Sequence, residues 1–166
     1  PGPLDSGMVD EFVNRKHGKT AITYPHPLLE PVLKDTYGTI VYQEQIMQVF
    51  QVLADYTLGQ ADMVRRMMGK KKVEEMQKQK GRFVENSAKH GMSEADALKL
   101  FGQIESFASY CFNRSHSAAY AFVAYQTAYL KCHYPVEYMA CLLSSVSSDQ
   151  DKTQAYIEEA LAKGIK

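Results

Sequence analysis

Apolar residues recur with helical spacing along most of this chain. Two segments show it most clearly, with apolar residues at positions i, i+3, i+4 and i+7: Ile46, Val49, Phe50 and Leu53, and Ala97, Leu100, Phe101 and Ile104. No stretch alternates apolar and polar residues over the length of an ordinary strand. The pattern therefore predicts an all-α fold, a compact multi-helix bundle with short loops and little or no strand.

Stop and cap signals set the boundaries of these helices. Gly18 follows a segment that ends in basic residues, and Ser93 with Asp96 has the spacing of a capping box. Between residues 20 and 31, three prolines forbid a long helix and predict an extended surface loop. The predicted helices are 7–17, 43–54, 60–68, 73–90, 94–109, 115–133, 136–146 and 150–163.

Composition narrows the class of protein. The chain has 166 residues, 45% of them apolar, and no shift in composition divides it, so we expect one domain or part of one. No apolar run approaches the roughly 20 residues that a bilayer needs, and three cysteines without ligand spacing indicate neither a disulfide framework nor a zinc site. A reducing cytosol is the predicted compartment.

The chain begins with Pro1 and has no leader pattern, so we expect a piece of a longer, non-secreted protein.

Charge is distributed unevenly. The 19 basic and 19 acidic side chains cancel overall. Between Asp62 and Arg82, however, basic residues clearly outnumber the three acids, Asp62, Glu74 and Glu75. The basic residues there are Arg65, Arg66, Lys70, Lys71, Lys72, Lys78, Lys80 and Arg82. This excess predicts a basic face and favours a polyanion as partner.

The first candidate site is the run 65–72, in which two arginines precede a glycine and three lysines. Arginine offers a planar fork for phosphate oxygens, and lysine adds a compact charge on a flexible stem. The alternative is a solvated helix end, because cations are favourable at a helix C-terminus. Charge alone leaves both interpretations open.

The second candidate site is the aromatic and basic stretch 109–116. Its rings can stack on bases, its cationic side chains can contact phosphate, and the next helix begins there with free amide groups. In the alternative interpretation, Tyr110 and Phe112 fill the core while Asn113 or Ser115 caps a helix. Spacing alone favours this second interpretation.

A third segment, 37–47, carries the lone carboxylate Glu44 before an apolar helix. A two-metal site for phosphoryl transfer would need a second carboxylate nearby in space, and nothing in the sequence indicates one. A core-and-cap role is therefore favoured for this segment. The histidines, serines and cysteines show no metal, triad or nucleophile spacing, so no catalytic or metal residue is predicted.

Several of these motifs, taken together, resemble the bacterial replicative DNA polymerase III alpha subunit family (family C). They occur in that family's order and extend from Pro1 to at least Tyr134-Pro135. The matching segments are Pro1–Met8, Tyr37-Gly38, Tyr42–Gln45, Arg65-Arg66, Met68–Lys72 and Phe112–Tyr120.

The resemblance implies the fingers region of a DNA-directed DNA polymerase, which binds the incoming dNTP and the template strand. On this basis the chain divides into an entry from the palm (1–36), the fingers core (37–146) and a C-terminal helix (147–166). The palm aspartates that hold Mg2+ lie outside the chain, so the fragment is expected to bind no cofactor and to be inactive alone. Its implied partners are primer-template DNA, the remaining polymerase domains and other replisome subunits, with no membrane.

The resemblance also assigns roles to the two clusters. The basic run would line the triphosphate site, Tyr110 and Phe112 would flank the nascent base pair, and the other residues would touch the nucleotide or the template backbone. Arg15 and Lys16 are further candidates for template contact. The nucleotide-binding residues implied are Arg65, Arg66, Lys70, Lys71, Lys72, Tyr110, Phe112, Asn113, Arg114 and His116.

Two positions depart from the family pattern, which usually has Gly at Cys111 and Lys at Arg114. Some members of the family are encoded in two halves that a split intein joins. The segment downstream of that intein begins Cys-Phe-Asn, because splicing needs a thiol nucleophile at the first residue after the intein. The bond between Tyr110 and Cys111 is therefore a hypothetical splice junction. The alternative is a small residue tolerated at a glycine position.

Two other classes of function compete with the fingers interpretation. A non-catalytic helical module would use the basic face only to tether nucleic acid, with a salt dependence set by its phosphate contacts. A protein-interaction surface would keep its partners when Arg65 and Arg66 are mutated. Selectivity for a triphosphate distinguishes the fingers interpretation from a tether.

Overall fold

The computed structural model describes residues 7–69, 73–107 and 112–165, and most of these residues lie in α-helices, as the helical period predicts. No β-sheet forms among them, although Tyr42 and Phe112 make an isolated parallel bridge. The nine helices of this part of the chain are α1 (Met8–Lys16), α2 (Glu30–Leu33), α3 (Gln43–Ala54), α4 (Leu58–Gly69), α5 (Val73–Lys89), α6 (Glu94–Phe107), α7 (Arg114–His133), α8 (Pro135–Ser145) and α9 (Gln150–Ala162).

Eight of these helices agree with the predicted spans to within two residues at each end. Gly18 and Gly91 take positive φ angles of 68° and 85° just after helices, a conformation that glycine adopts without steric cost. The Oγ atom of Ser93 accepts a hydrogen bond of 3.1 Å from the amide of Asp96. The predicted N-cap of α6 is therefore confirmed.

The prediction of an extended surface loop over residues 20–31 is wrong in its second half. The 3-10 turn Pro27–Leu29, the short helix α2 and the 3-10 turn Lys34–Thr36 follow one another there. Pro27 and Pro31 lie in the first turn of their helices, where a missing N–H group breaks no bond. Leu29 and Leu33 are fully buried, and their burial holds the segment on the core.

The helices form two compact units, one ending at Arg114 and one beginning at Ser115. The first unit is built on α3, which packs against α4 and α5, while α5 also packs against α6. The apolar faces predicted for α3 and α6 are its core, and Phe50, Phe83 and Phe101 meet there with ring centroids 4.9–6.3 Å apart. Aromatic contacts of this kind add to the burial of apolar area.

A buried amide fixes the start of α3. The side chain of Gln45 is 1% exposed, and its Oε1 atom accepts hydrogen bonds from the amides of Val41 (2.8 Å) and Tyr42 (3.0 Å). Its Nε2 group donates to the carbonyl of Val32 (3.2 Å) and to Oγ1 of Thr36 (2.7 Å). One side chain thus joins the 3-10 and α2 segment to the first turn of α3, with its own polar groups satisfied.

The second unit contains α7 beyond its first residue, α8 and α9. Its described part buries Met139 and Ala160, and Glu159 of α9 binds Lys131 at 2.6 Å and Lys163 at 3.0 Å. Hydrogen bonds from these lysines hold the pKa of the Glu159 carboxyl below its usual value. None of the described helices has the combination of length and apolar character that a membrane crossing requires. The division of the chain at residues 36 and 146 stays a prediction.

Replacing Gln45 with Ala is expected to lower the free energy of unfolding by about 2–4 kcal/mol, because buried backbone groups lose their partners. Urea denaturation followed by circular dichroism measures this loss. The matched control is Gln48→Ala, an exposed position on the same helix, for which a change within about 0.5 kcal/mol is expected. Equal losses in the two variants would contradict the role assigned to the buried amide.

Candidate functional site

Two arginines of the first predicted cluster share a single carboxylate on α4. The Nε atom of Arg65 donates to Oδ1 of Asp62 and the Nε atom of Arg66 donates to Oδ2, each at 2.8 Å. The side chain of Asp62 is 28% exposed, compared with 34% for Arg65 and 68% for Arg66. The acid is thus the most covered of the three, and Arg66 is the most exposed.

The charge state of this trio follows from its hydrogen bonds. The bond from Arg65 is the main cause that holds the pKa of the Asp62 carboxyl below its ordinary value, and the bond from Arg66 adds to it. The carboxylate therefore stays ionised near neutral pH, and its charge is lost only when the pH falls through that lowered pKa. One negative charge against two positive charges leaves the trio with a net positive charge suited to an anion. The predicted lysines of this cluster, Lys70, Lys71 and Lys72, lie outside the described residues.

The described part of the second predicted cluster starts at Phe112, which lies beside the start of α3. The carbonyl of Phe112 accepts a hydrogen bond of 2.9 Å from the amide of Gln43, next to the bridge with Tyr42. The side chain of Phe112 is 58% exposed. The alternative in which Phe112 fills the core is therefore wrong. Tyr110 and Cys111, including the hypothetical splice junction between them, lie outside the described residues.

Glu44 caps a helix other than its own. Its two carboxylate oxygens accept hydrogen bonds of 3.0 and 2.9 Å from the amide of Arg114, the first residue of α7. The helix dipole favours a negative charge at this end. The core-and-cap role predicted for segment 37–47 thus includes a cap on α7. Asn113 and Ser115, the caps predicted for this helix from the sequence, also have interaction partners.

The Arg114 side chain has two further contacts. Its Nη2 atom lies 3.0 Å from Oδ2 of Asp35, and its guanidinium carbon lies 5.6 Å from the ring centroid of Tyr42. Both members of the ion pair are more than half exposed, so the pair is of the kind that contributes little to stability. Of the remaining predicted residues, Asn113 and His116 also have interaction partners, and the ring of His116 lies 4.7 Å from that of Tyr120.

The hairpin of α3 and α4 relates the two arginines of α4 to the start of α3. Three residues, 55–57, connect these packed helices, and packed neighbours joined by so short a loop run antiparallel. The arginines in the last turns of α4 therefore lie toward the end of the hairpin where α3 begins. Glu44 holds the amide of Arg114 at this same end, so Arg65 and Arg66 lie toward the end of the hairpin that carries Arg114.

Arg15, a further candidate for template contact, has a different environment. Its side chain is 13% exposed, and it donates to Glu11, to the hydroxyl and carbonyl of Thr23 and to the carbonyl of Tyr37. Gly38 has a φ of 79°, and an added Cβ would lie 2.4 Å from the Thr23 carbonyl oxygen and 2.8 Å from the guanidinium. Because the Arg15 guanidinium already donates to several groups of the fold, a structural role is favoured for this side chain.

Three residues to which the sequence analysis gave no role position these groups: Asp35, Gln45 and Asp62. A signal was available for Asp62, since acid and base three or four residues apart on a helix are neighbours. Asp35 gives no such signal, because its partner Arg114 is 79 residues away along the chain. In the described part of the chain, no group of three His, Cys, Asp or Glu side chains could hold a metal ion.

Comparison with known proteins places this chain in a family. The model of the bacterial DNA polymerase III alpha subunit finger domain matches residues 1–91. DNA polymerase III subunit alpha of Pseudomonas aeruginosa is 56% identical over 96% of the chain, and that of Escherichia coli K12 is 53% identical over the whole chain. The Haemophilus influenzae subunit is 52% identical, also over the whole chain. The chain spans 14–15% of the length of these relatives.

Replacing Glu44 with Ala is expected to speed hydrogen exchange at the Arg114 amide by about tenfold to a hundredfold, because a hydrogen bond to a charged acceptor is lost. Amide exchange followed by NMR measures the rate. The control is Glu85→Ala, an exposed acid on α5, which should leave that amide unchanged. Unaltered protection in the Glu44 variant would contradict the proposed cap.

Proposed function

Because the chain belongs to the bacterial DNA polymerase III alpha subunit finger-domain family, we propose that it binds the triphosphate of an incoming dNTP and the template strand during DNA synthesis by the complete polymerase. The paired arginines on one carboxylate are the observation that supports this proposal most strongly. A triphosphate presents adjacent phosphoryl groups, and two neighbouring guanidinium groups match them in charge and in hydrogen-bond geometry.

Phosphoryl transfer needs charge stabilisation more than covalent chemistry from the protein. Negative charge grows on the leaving pyrophosphate as the bond to the α-phosphate breaks. Arg65 and Arg66 would bind that charge in the transition state, and Lys70 to Lys72 would add to it. This part of the proposal concerns rate as well as affinity, because an interaction that strengthens in the transition state raises kcat.

The second cluster would recognise the base and the strand. Phe112 is exposed beside α3, and an aromatic face of this kind stacks on bases without strong sequence preference. Tyr110 would join it around the nascent base pair, while Asn113, Arg114 and His116 would contact the nucleotide or the template backbone. For Arg114, a phosphate would replace Asp35, and the exposed ion pair makes that exchange inexpensive.

The remaining chemistry belongs to other parts of the polymerase. Magnesium ions held by palm residues would polarise the phosphoryl oxygens and lower the pKa of the attacking hydroxyl. We propose that this chain supplies none of those ligands, that it is inactive alone, and that its partners are primer-template DNA, the other polymerase domains and replisome subunits. A tether for nucleic acid, the competing proposal, would show no selectivity for a triphosphate.

Changing both Arg65 and Arg66 to Ala in the complete polymerase is expected to weaken the apparent affinity for dNTP by about tenfold or more. Single-turnover primer extension at varied dNTP concentration gives this affinity together with the rate of incorporation. Binding of primed DNA, measured separately by fluorescence anisotropy, should change by less than about twofold.

The matched control is Arg82→Ala. This arginine also lies in the basic region, but its guanidinium lies 4.2 Å from the ring centroid of Tyr56 and its Nη2 atom donates to Gln60. The control should leave the affinity for dNTP unchanged. Normal extension by the double variant would overturn the triphosphate assignment, whereas equal losses for dNTP and DNA would favour a tether.

A further inference from the structure

Asp62 has a role that follows from the two bonds it accepts. Each of its carboxylate oxygens takes the Nε–H of a different arginine at 2.8 Å. The distance between the two Nε atoms is therefore at most the sum of these two hydrogen-bond lengths and the separation of the two oxygens of one carboxylate. Two guanidinium groups held so close repel each other, and the shared negative charge offsets that repulsion.

The choice of atoms matters as much as the charge. An arginine bound through Nε has the plane of its guanidinium fixed, and the edge that carries both Nη atoms stays available as a fork for phosphate oxygens. Among the described residues, neither Arg65 nor Arg66 uses an Nη atom in a hydrogen bond. Asp62 is the least exposed of the three side chains, at 28%, and Arg66 is the most exposed, at 68%.

We infer that Asp62 is a positioning residue for nucleotide binding: it holds the Arg65 and Arg66 guanidinium groups side by side, with their Nη edges directed to adjacent phosphoryl groups of a nucleoside triphosphate. The inference rests on the proposed function of the two arginines. A single phosphate of the template backbone would engage one fork and gain little from the pair. The shared carboxylate therefore favours a polyphosphate tail, and it does so without touching the nucleotide.

The variant Asp62→Asn tests this arrangement in the complete polymerase. An amide accepts through one oxygen only and places an N–H group against the second arginine, so one guanidinium loses its anchor. The apparent affinity for dNTP in single-turnover extension should fall by about three- to tenfold. Binding of primed DNA should stay within about twofold of the parent enzyme. The charge-conserving variant Asp62→Glu should recover most of the dNTP affinity.

Glu159→Gln is the matched control. Glu159 is also a carboxylate shared by two cations, Lys131 and Lys163, but it contacts neither arginine. It should leave the affinity for dNTP unchanged. A general loss of stability in Asp62→Asn would also weaken binding of primed DNA, and a general effect of replacing a carboxylate by an amide would also appear in Glu159→Gln.

A double-mutant cycle separates positioning from a structural effect. In the Arg65→Ala, Arg66→Ala background, Asp62→Asn should change the affinity for dNTP by less than about twofold, since there is nothing left to position. If Asp62→Asn leaves dNTP affinity intact while the arginine variant loses it, the inference is overturned and the proposed function stands. If the arginine variant also extends normally, the proposed function is overturned, and the inference with it.

Discussion

The first turn of α3 is the point on which the candidate site depends. Two neighbouring side chains there have opposite environments: Gln45 is buried and satisfies four polar groups of the surrounding chain, while Glu44 accepts the first amide of α7. A helix advances by about 100° per residue, so adjacent positions can serve the core and the surface at once. If this turn were displaced, segment 112–114 would lose both its backbone bridge and its cap.

Pairing with carboxylates explains how a chain of zero net charge can present arginines to an anion. Arg15, Arg65, Arg66 and Arg114 each contact an acid. Burial then separates their roles. Arg15 is covered and binds three backbone or hydroxyl oxygens besides its acid, so it serves the fold. The other three are more exposed, and a phosphate can take the place of a weak ion pair or add to it.

The helices and their buried faces could be predicted from the sequence because local periodicity determines both. Residues 27–36 could not, since their helical turns depend on the burial of Leu29 and Leu33 against distant parts of the unit. For the same reason the hydrogen bond from the first amide of α7 to Glu44 could not be predicted, because the acid lies 70 residues before that amide in the chain. Both clusters could be located from the chemistry of their residue types. The contacts of Arg114 with Asp35 and Glu44 became visible only in the fold. Lys70 to Lys72, Tyr110 and Cys111 stay predictions.

The central claim is that two arginines on one carboxylate bind the triphosphate. A structure of the complete polymerase with primed template and a non-hydrolysable dNTP analogue tests it most directly. We predict phosphate oxygens within hydrogen-bond distance of the Nη atoms of both Arg65 and Arg66, with their Nε atoms still bound to Asp62. A triphosphate bound elsewhere, with these guanidinium groups facing solvent, would contradict the account.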